Sequence, residues 1–345
     1  MQDGQASTAG VAHRSIQRWR KVLPYFGTLV IFALIFWRIP VRNVTGALED
    51  APALKFFSVF LPYSVAYWII DSACLTWVVG RFNQALRFRE ILPIRASTYL
   101  LSIINTNLGQ GGVAWYLSRK LRAPFLEILS SILFIALMEV YQLFLFSTAG
   151  VVLYRAPSAR QAELVHVLRI AYVVAWGALA TVVMLFARAR RSDAVRVWIS
   201  GSRVGPISRT FLAARPLDYA IVLAIKAPSF GLALLAQHFA LGLYGIRIPL
   251  VKLILFLPLV FLAAALPIGV AHLGTSQAAW LLFFAGNAPD AKILAYSLAA
   301  HFTFMLCNGL IALPFLPHAS RELTTLETAV REQPARLGSS AGKPA

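Results

Sequence analysis

The chain has 345 residues, of which 59% are apolar and 13% charged. Soluble domains carry roughly 25% charged residues, so a water-exposed globular surface is excluded. The net charge is +18, with 32 Lys and Arg against 14 Asp and Glu; since the apolar residues come in long blocks, the cations read as topology-setting charges that attract anionic lipid heads, not as a nucleic-acid surface.

A basic segment, 1–21, carries Arg14, Arg18, Arg20 and Lys21 and leads into an apolar block at 22–39. Arg38-Ile39-Pro40 follows instead of a small-residue cleavage site, so the block reads as an uncleaved first transmembrane helix. Further crossings are predicted at 54–80, 125–153, 164–186, 217–243 and 291–316, each near the ~20 residues that span ~30 Å of hydrocarbon. Segments between the blocks are too short for a soluble domain, so 22–316 forms a single transmembrane domain. The polar tail at 317–345 is expected to form a short helix followed by disorder. Cys74 and Cys307 sit inside apolar blocks as small packers, and no metal-ligand spacing or cofactor motif is found.

Two apolar regions, 91–117 and 249–285, do not fit as simple crossings. In the first, Gly109-Gln110-Gly111-Gly112 is expected to break any helix. The few residues left before Arg119-Lys120 are too short to cross, so the chain must turn inside the membrane and leave on the side it entered. At an offset of 165 residues the two regions align: Leu108-Gly109 on Leu273-Gly274, Ala114-Trp115 on Ala279-Trp280, Leu117 on Leu282, and Ala123-Pro124 on Ala288-Pro289. Three crossings separate the regions, which places the second hairpin on the opposite face from the first. The predicted fold is therefore an all-α polytopic integral membrane protein of six crossing helices plus two re-entrant hairpins. It forms an inverted repeat (about 54–153 and 217–316), an architecture that recurs in secondary transporters. With this arrangement 22 Lys and Arg lie on the cytoplasmic side, Arg95 among them, and 9 outside; both termini are then cytoplasmic, in a plasma (inner) membrane.

Candidate functional residues fall into two groups. The hairpin tips carry Asn105, Asn107, Gly109, Gln110, Gly111 and Gly112 in the first, and His272, Gly274, Thr275, Ser276 and Gln277 in the second. Broken helices expose N–H groups that favour an anion such as a phosphate head group, but the same side chains could instead satisfy freed backbone groups. The spans carry ionisable Asp71, Glu139, Lys226, His238 and His301, each costing about 2.5–3.5 kcal/mol at the bilayer centre and so expected to face a partner or a cavity. Glu139 is the most central and the candidate proton relay, while Asp71 and Lys226 are expected nearer an interface. Arg119, Lys120 and Arg122 beside the first hairpin either collect anionic head groups or only anchor topology. Gly109-x-Gly111-x-x-Ala114 lacks the βαβ context of a dinucleotide site and is rejected.

The run Leu266-Pro267-Ile268-Gly269 through His272-Leu273-Gly274-Thr275-Ser276-Gln277, together with Gly109-Gln110-Gly111-Gly112 followed by Arg119-Lys120, resembles the lysylphosphatidylglycerol synthase transmembrane-region family. This likeness implies a flippase-like protein moving a phospholipid or isoprenoid-linked lipid between leaflets. Gln110 and Gln277 depart from the acidic residues common at those places, which puts substrate or protonation chemistry in question. No aminoacyltransferase domain accompanies the membrane segments. The expected partners are anionic membrane lipids and a coupling proton. Alternatives are an integral-membrane transferase acting on a lipid carrier, which a bridged carboxylate pair beside a head-group cavity would favour, and a membrane subunit of a lipid or envelope biosynthesis complex.

Overall fold

The computed structural model describes residues 33, 35–37, 41–49, 53–155, 159–190, 192, 201, 205–265, 273–317, 319, 321 and 322. The basic segment, 1–21, and most of the first predicted span, 22–39, and of the tail lie outside them. Among the described residues every regular element is helical. In chain order these are α1 (Val41–Glu49), α2 (Ala53–Phe82), α3 (Phe88–Ile104), α4 (Thr106–Leu121), α5 (Phe125–Leu153), α6 (Ala159–Arg190), α7 (Gly205–Ala213), α8 (Pro216–Leu243), α9 (Leu250–Ala265), α10 (Thr275–Phe284) and α11 (Asp290–Ala312), the last closed by a 3₁₀ turn. Five helices are long and apolar enough to cross a membrane, namely α2, α5, α6, α8 and α11. They match the second to sixth predicted crossings, and the protein is a polytopic all-α membrane protein.

Helix starts follow from local chemistry. Glu90 accepts a hydrogen bond from the Arg87 N–H at 2.8 Å, and Asp218 accepts one from the Arg215 N–H at 2.7 Å. Each carboxylate satisfies a backbone donor that has no partner within the helix. Pro124 precedes α5 and Pro289 precedes α11, where a fixed φ suits entry into a helix.

The first odd region folds as a helical hairpin, but its break is not at the glycines. Helix α3 ends at Asn105, in extended conformation, and α4 then runs without interruption through Gly109, Gly111 and Gly112. The arms lie antiparallel, since a Cβ on Gly109 would fall 1.9 Å from Ser102 Oγ and one on Gly112 would fall 2.5 Å from Leu101 Cδ1. Gly109 and Gly112 therefore permit close helix approach, as small residues do between membrane helices, rather than ending the helix. The arms have 17 and 16 residues, or about 25 Å each.

The second odd region also folds back on itself. Helix α9 packs against α10, and Lys252 Nζ near the start of α9 donates to Asn287 Oδ1, just after α10, at 2.6 Å. Residues 266–272, including Pro267 and His272, lie outside the described residues. Gly274 has φ 91°, a left-handed value that disfavours any side chain.

The order α2–α3–α4–α5 recurs as α8–α9–α10–α11. Pro93 inside α3 and Pro258 inside α9 are 165 residues apart, as are Pro124 and Pro289. Packing is exchanged in the same sense: α2 lies against α8, α9 against α5, and α3 against α11. The α5–α9 contact is close, for a Cβ on Gly150 would lie 2.4 Å from Leu255 Cα, and Ser147 Oγ donates to the Leu255 carbonyl at 2.8 Å.

Gly109→Ala is expected to destabilise by about 1–3 kcal/mol through overpacking. Gly111 has nothing within 4 Å of a built Cβ, so Gly111→Ala should be neutral or stabilising by up to ~1 kcal/mol. Thermal unfolding of the purified variants in detergent checks this; equal destabilisation by both would return the glycines to a helix-breaking role.

Candidate functional site

Four helices bring charged side chains together inside the bundle. Asp71 lies 11 residues before the end of α2 and Lys226 lies 10 after the start of α8, so both sit about 15 Å from a helix terminus. The two helices run antiparallel, tied at one end by Arg81 Nε donating to Asp218 Oδ1 at 3.0 Å. Farther in, Lys226 Nζ donates to Asp71 Oδ1 at 2.8 Å and also pairs with Glu139 from α5. Arg95 from α3 donates through Nε to the other Asp71 oxygen. Aromatic faces complete the surround: Lys226 Nζ is 5.2 Å from the Tyr67 centroid and the Arg95 guanidinium 5.0 Å from that of Tyr99.

Two carboxylates and two cations give this cluster a formal charge of zero. Desolvating each ion costs several kcal/mol, which only close pairing offsets. The members are unequally covered. Side-chain exposure is 1% for Lys226 and 6% for Asp71, but 16% for Arg95 and 33% for Glu139. A cavity of about 30 Å³ opens against them, lined by Asp71, Arg95 and Glu139 together with Gln110 and Val113 of α4. That is room for water, which needs roughly 10–15 Å³. The arrangement can hold ions and exchange their partners.

Glu139 is thus central and paired, in the place expected for it. Asp71 and Lys226 do not reach an interface; their buried side chains turn toward one another and toward Arg95 and Glu139. Arg95 is not a cytoplasmic topology charge. It lies among the buried Ile91, Ile94 and Ala96 and pairs with Asp71. His301 does not line the cavity; it is half-buried on α11 with its ring 6.0 Å from that of Phe302. At the repeat offset Glu139 corresponds to Phe304, which stacks on Tyr63 at 5.5 Å and meets Tyr67 edge-on.

The hairpin tips divide. Asn105 caps α4, its Oδ1 accepting from the N–H groups of Asn107 at 2.8 Å and Leu108 at 3.4 Å. Asn107 is exposed, and among the described tip residues Gln110 alone reaches the charge cluster's cavity. At the second tip Gln277 Oε1 accepts from Gly274 N–H at 2.7 Å, and Thr275, Ser276 and Gln277 are buried in the first turn of α10. Asn105 and Gln277 therefore serve the backbone. Of the basic group after the glycines, Arg119 lies 5.9 Å over the Trp115 ring. Lys120 Nζ pairs with Glu322 at 2.6 Å, and Glu322 also accepts from the Tyr116 hydroxyl.

Lys226→Gln is expected to destabilise by about 3–5 kcal/mol, since it strands buried carboxylates. Lys226→Gln/Glu139→Gln should recover part of that loss because one stranded charge is removed with the cation. Denaturation midpoints of the four combinations measure the coupling, and strict additivity would mean that the pair does not interact.

No family model matches the chain, and neither a curated protein nor a solved structure shows significant similarity to it.

Proposed function

We propose that the protein carries the charged head group of an anionic phospholipid or isoprenoid-linked lipid between the leaflets of a plasma (inner) membrane. The observation that carries this is the ion-paired cluster Asp71–Arg95–Lys226–Glu139, buried at depth yet open to a cavity through its most exposed member. An ion pair inside the bilayer region marks a substrate or proton path more often than a structural tie. Three long helices, α5, α6 and α8, separate the two hairpins. An odd number of crossings puts the hairpins on opposite faces, which together with the 165-residue recurrence supports an inverted repeat of re-entrant elements. The likeness to the lysylphosphatidylglycerol synthase transmembrane-region family points the same way.

The charge balance suggests how transport works. A monoanionic head group drawn to Arg95 and Lys226 would bring the cluster to −1. Protonation of Glu139 restores neutrality, so one lipid anion is accompanied by one proton. The cavity has room only for water, and a head group enters when α4, which carries Gln110 and Val113, moves away from α5. Acyl chains remain in the surrounding lipid.

One observation favours the transferase alternative. Asp71 and Glu139 are bridged by Lys226 beside the cavity, and carboxylates so placed are able to serve acid–base chemistry on a lipid carrier.

In proteoliposomes, labelled phosphatidylglycerol is expected to exchange leaflets faster than in empty vesicles, with a rate that responds to an imposed proton gradient. Glu139→Gln, already neutral, should exchange without that response. No exchange for any anionic lipid tested under either gradient overturns the proposal, and covalently altered lipid would establish the transferase instead.

A further inference from the structure

A second polar region lies at the other end of α8, away from the charge cluster. Lys252 on α9 is 2% exposed, and the amide oxygen of Asn287 is its hydrogen-bond acceptor. The faces of Phe256 and Phe284 enclose it at 6.0 and 5.9 Å. Asn287 in turn donates to the Arg247 carbonyl at 3.5 Å. An amide carbonyl does not neutralise an ammonium, so this hairpin mouth keeps a positive potential at some desolvation cost. Lys292 stands nearby, its Nζ 3.6 Å from the Cβ position of Gly245. Among the described residues no ion pair joins Arg247, Lys252 or Lys292 to a carboxylate, although Asp290 is close in sequence.

Beside them is a cavity of about 650 Å³, lined by Asn43 of α1, by Leu243, Tyr244 and Gly245, and by Pro289, Ala291 and Lys292 at the start of α11. Lys292 is its charged lining residue. Tyr244, also in the wall, is 6% exposed and its hydroxyl has no hydrogen-bond partner. The topology read from the sequence puts this end outside, where the charge bias disfavours Lys and Arg. Anchoring of the helices therefore does not account for Lys252 and Lys292 standing there.

We infer that this cavity binds a phosphate-bearing anionic group, with Lys292 as the contacting cation, Asn43 and Tyr244 as polar wall, and Lys252 adding to the surrounding field. The volume suits a lipid head group, and α1 gives its glycerol and upper acyl region a surface to lie along. The inference does not depend on translocation, because a static lipid site would have the same chemistry.

Cys74 and Cys307 are both fully buried, so Asn43→Cys introduces a distinguishable exposed thiol. Its labelling by a membrane-impermeant maleimide is measured in the full-length protein in detergent micelles, with phosphatidylglycerol or phosphatidylcholine added. Phosphatidylglycerol is expected to slow labelling about fivefold, the effect of one lysine near an anionic group, and phosphatidylcholine is not. The protection should vanish in Asn43→Cys/Lys292→Gln and persist in Asn43→Cys/Lys292→Arg, which keeps the charge. Inorganic phosphate alone supplies the second arm: protection by it identifies a free anion as sufficient, and protection by lipid only identifies the head group with its chains. Equal protection by both lipids, or protection that survives Lys292→Gln, overturns the inference. Leaflet exchange by the Lys292→Gln variant is read separately, so loss of this site and failure of the translocation proposal remain distinguishable.

Discussion

Lys226 reaches two carboxylates from different helices while almost none of its own surface is open. Within an apolar bundle that contact constrains more than itself. Asp71 ties α2 to α8 through Lys226 and to α3 through Arg95, and Glu139 ties α5 to α8. Four helices are thus held at one level by side chains that have no comparable alternative. Hydrophobic packing cannot do this, because in lipid an apolar face is as well accommodated by acyl chains as by another helix. Close backbone approach and ion pairing remain as the specific forces, and both are found: glycines at the α3–α4 and α5–α9 contacts, charges at the centre.

The long crossings were legible in the sequence because hydropathy over about 20 residues has few other meanings. A hairpin was expected in the first odd region from a break at Gly109–Gly112 that would leave too few residues before Arg119 and Lys120 to cross; a helical hairpin is found there, but not for that reason. Its turning point was misplaced. A glycine costs a water-exposed helix about 1 kcal/mol, but a packed apolar setting offers the freed backbone groups no competing partner, so the helix persists. Gly109 and Gly112 are spent on contact with Ser102 and Leu101, and the break falls at Asn105, whose side chain can replace the lost backbone acceptors.

Part of the site was equally visible. Asp71, Glu139 and Lys226 stand out because a charge within an apolar block is costly, but their partnership was not readable from positions 155 residues apart in the chain. Arg95 was hidden by its neighbourhood. It follows Arg81, Arg87 and Arg89 in sequence, and distance from a cationic edge says little about depth when the following helix folds back beside its predecessor. Lys120 was hidden too, since Glu322 lies 202 residues away.

The two halves of the molecule share helix order and proline positions but differ in chemistry. Where α5 presents Glu139 to Lys226, α11 presents Phe304 to Tyr63 and Tyr67. The α4 arm has an exposed Leu108, an unobstructed Gly111 and a glutamine at the cavity, and its far end is held by Glu322 through Lys120 and Tyr116. The α10 arm is shorter, and its first turn is buried. Aromatic rings stacked in close contact resist displacement, because separating them forfeits dispersion with nothing polar to replace it. Ion pairs beside a wet cavity separate more readily, since water or another anion is able to take the vacated position. Under the proposed function, motion that admits a head group belongs to the α3–α4 hairpin and its polar wall, with the aromatic half as the fixed surface against which it moves.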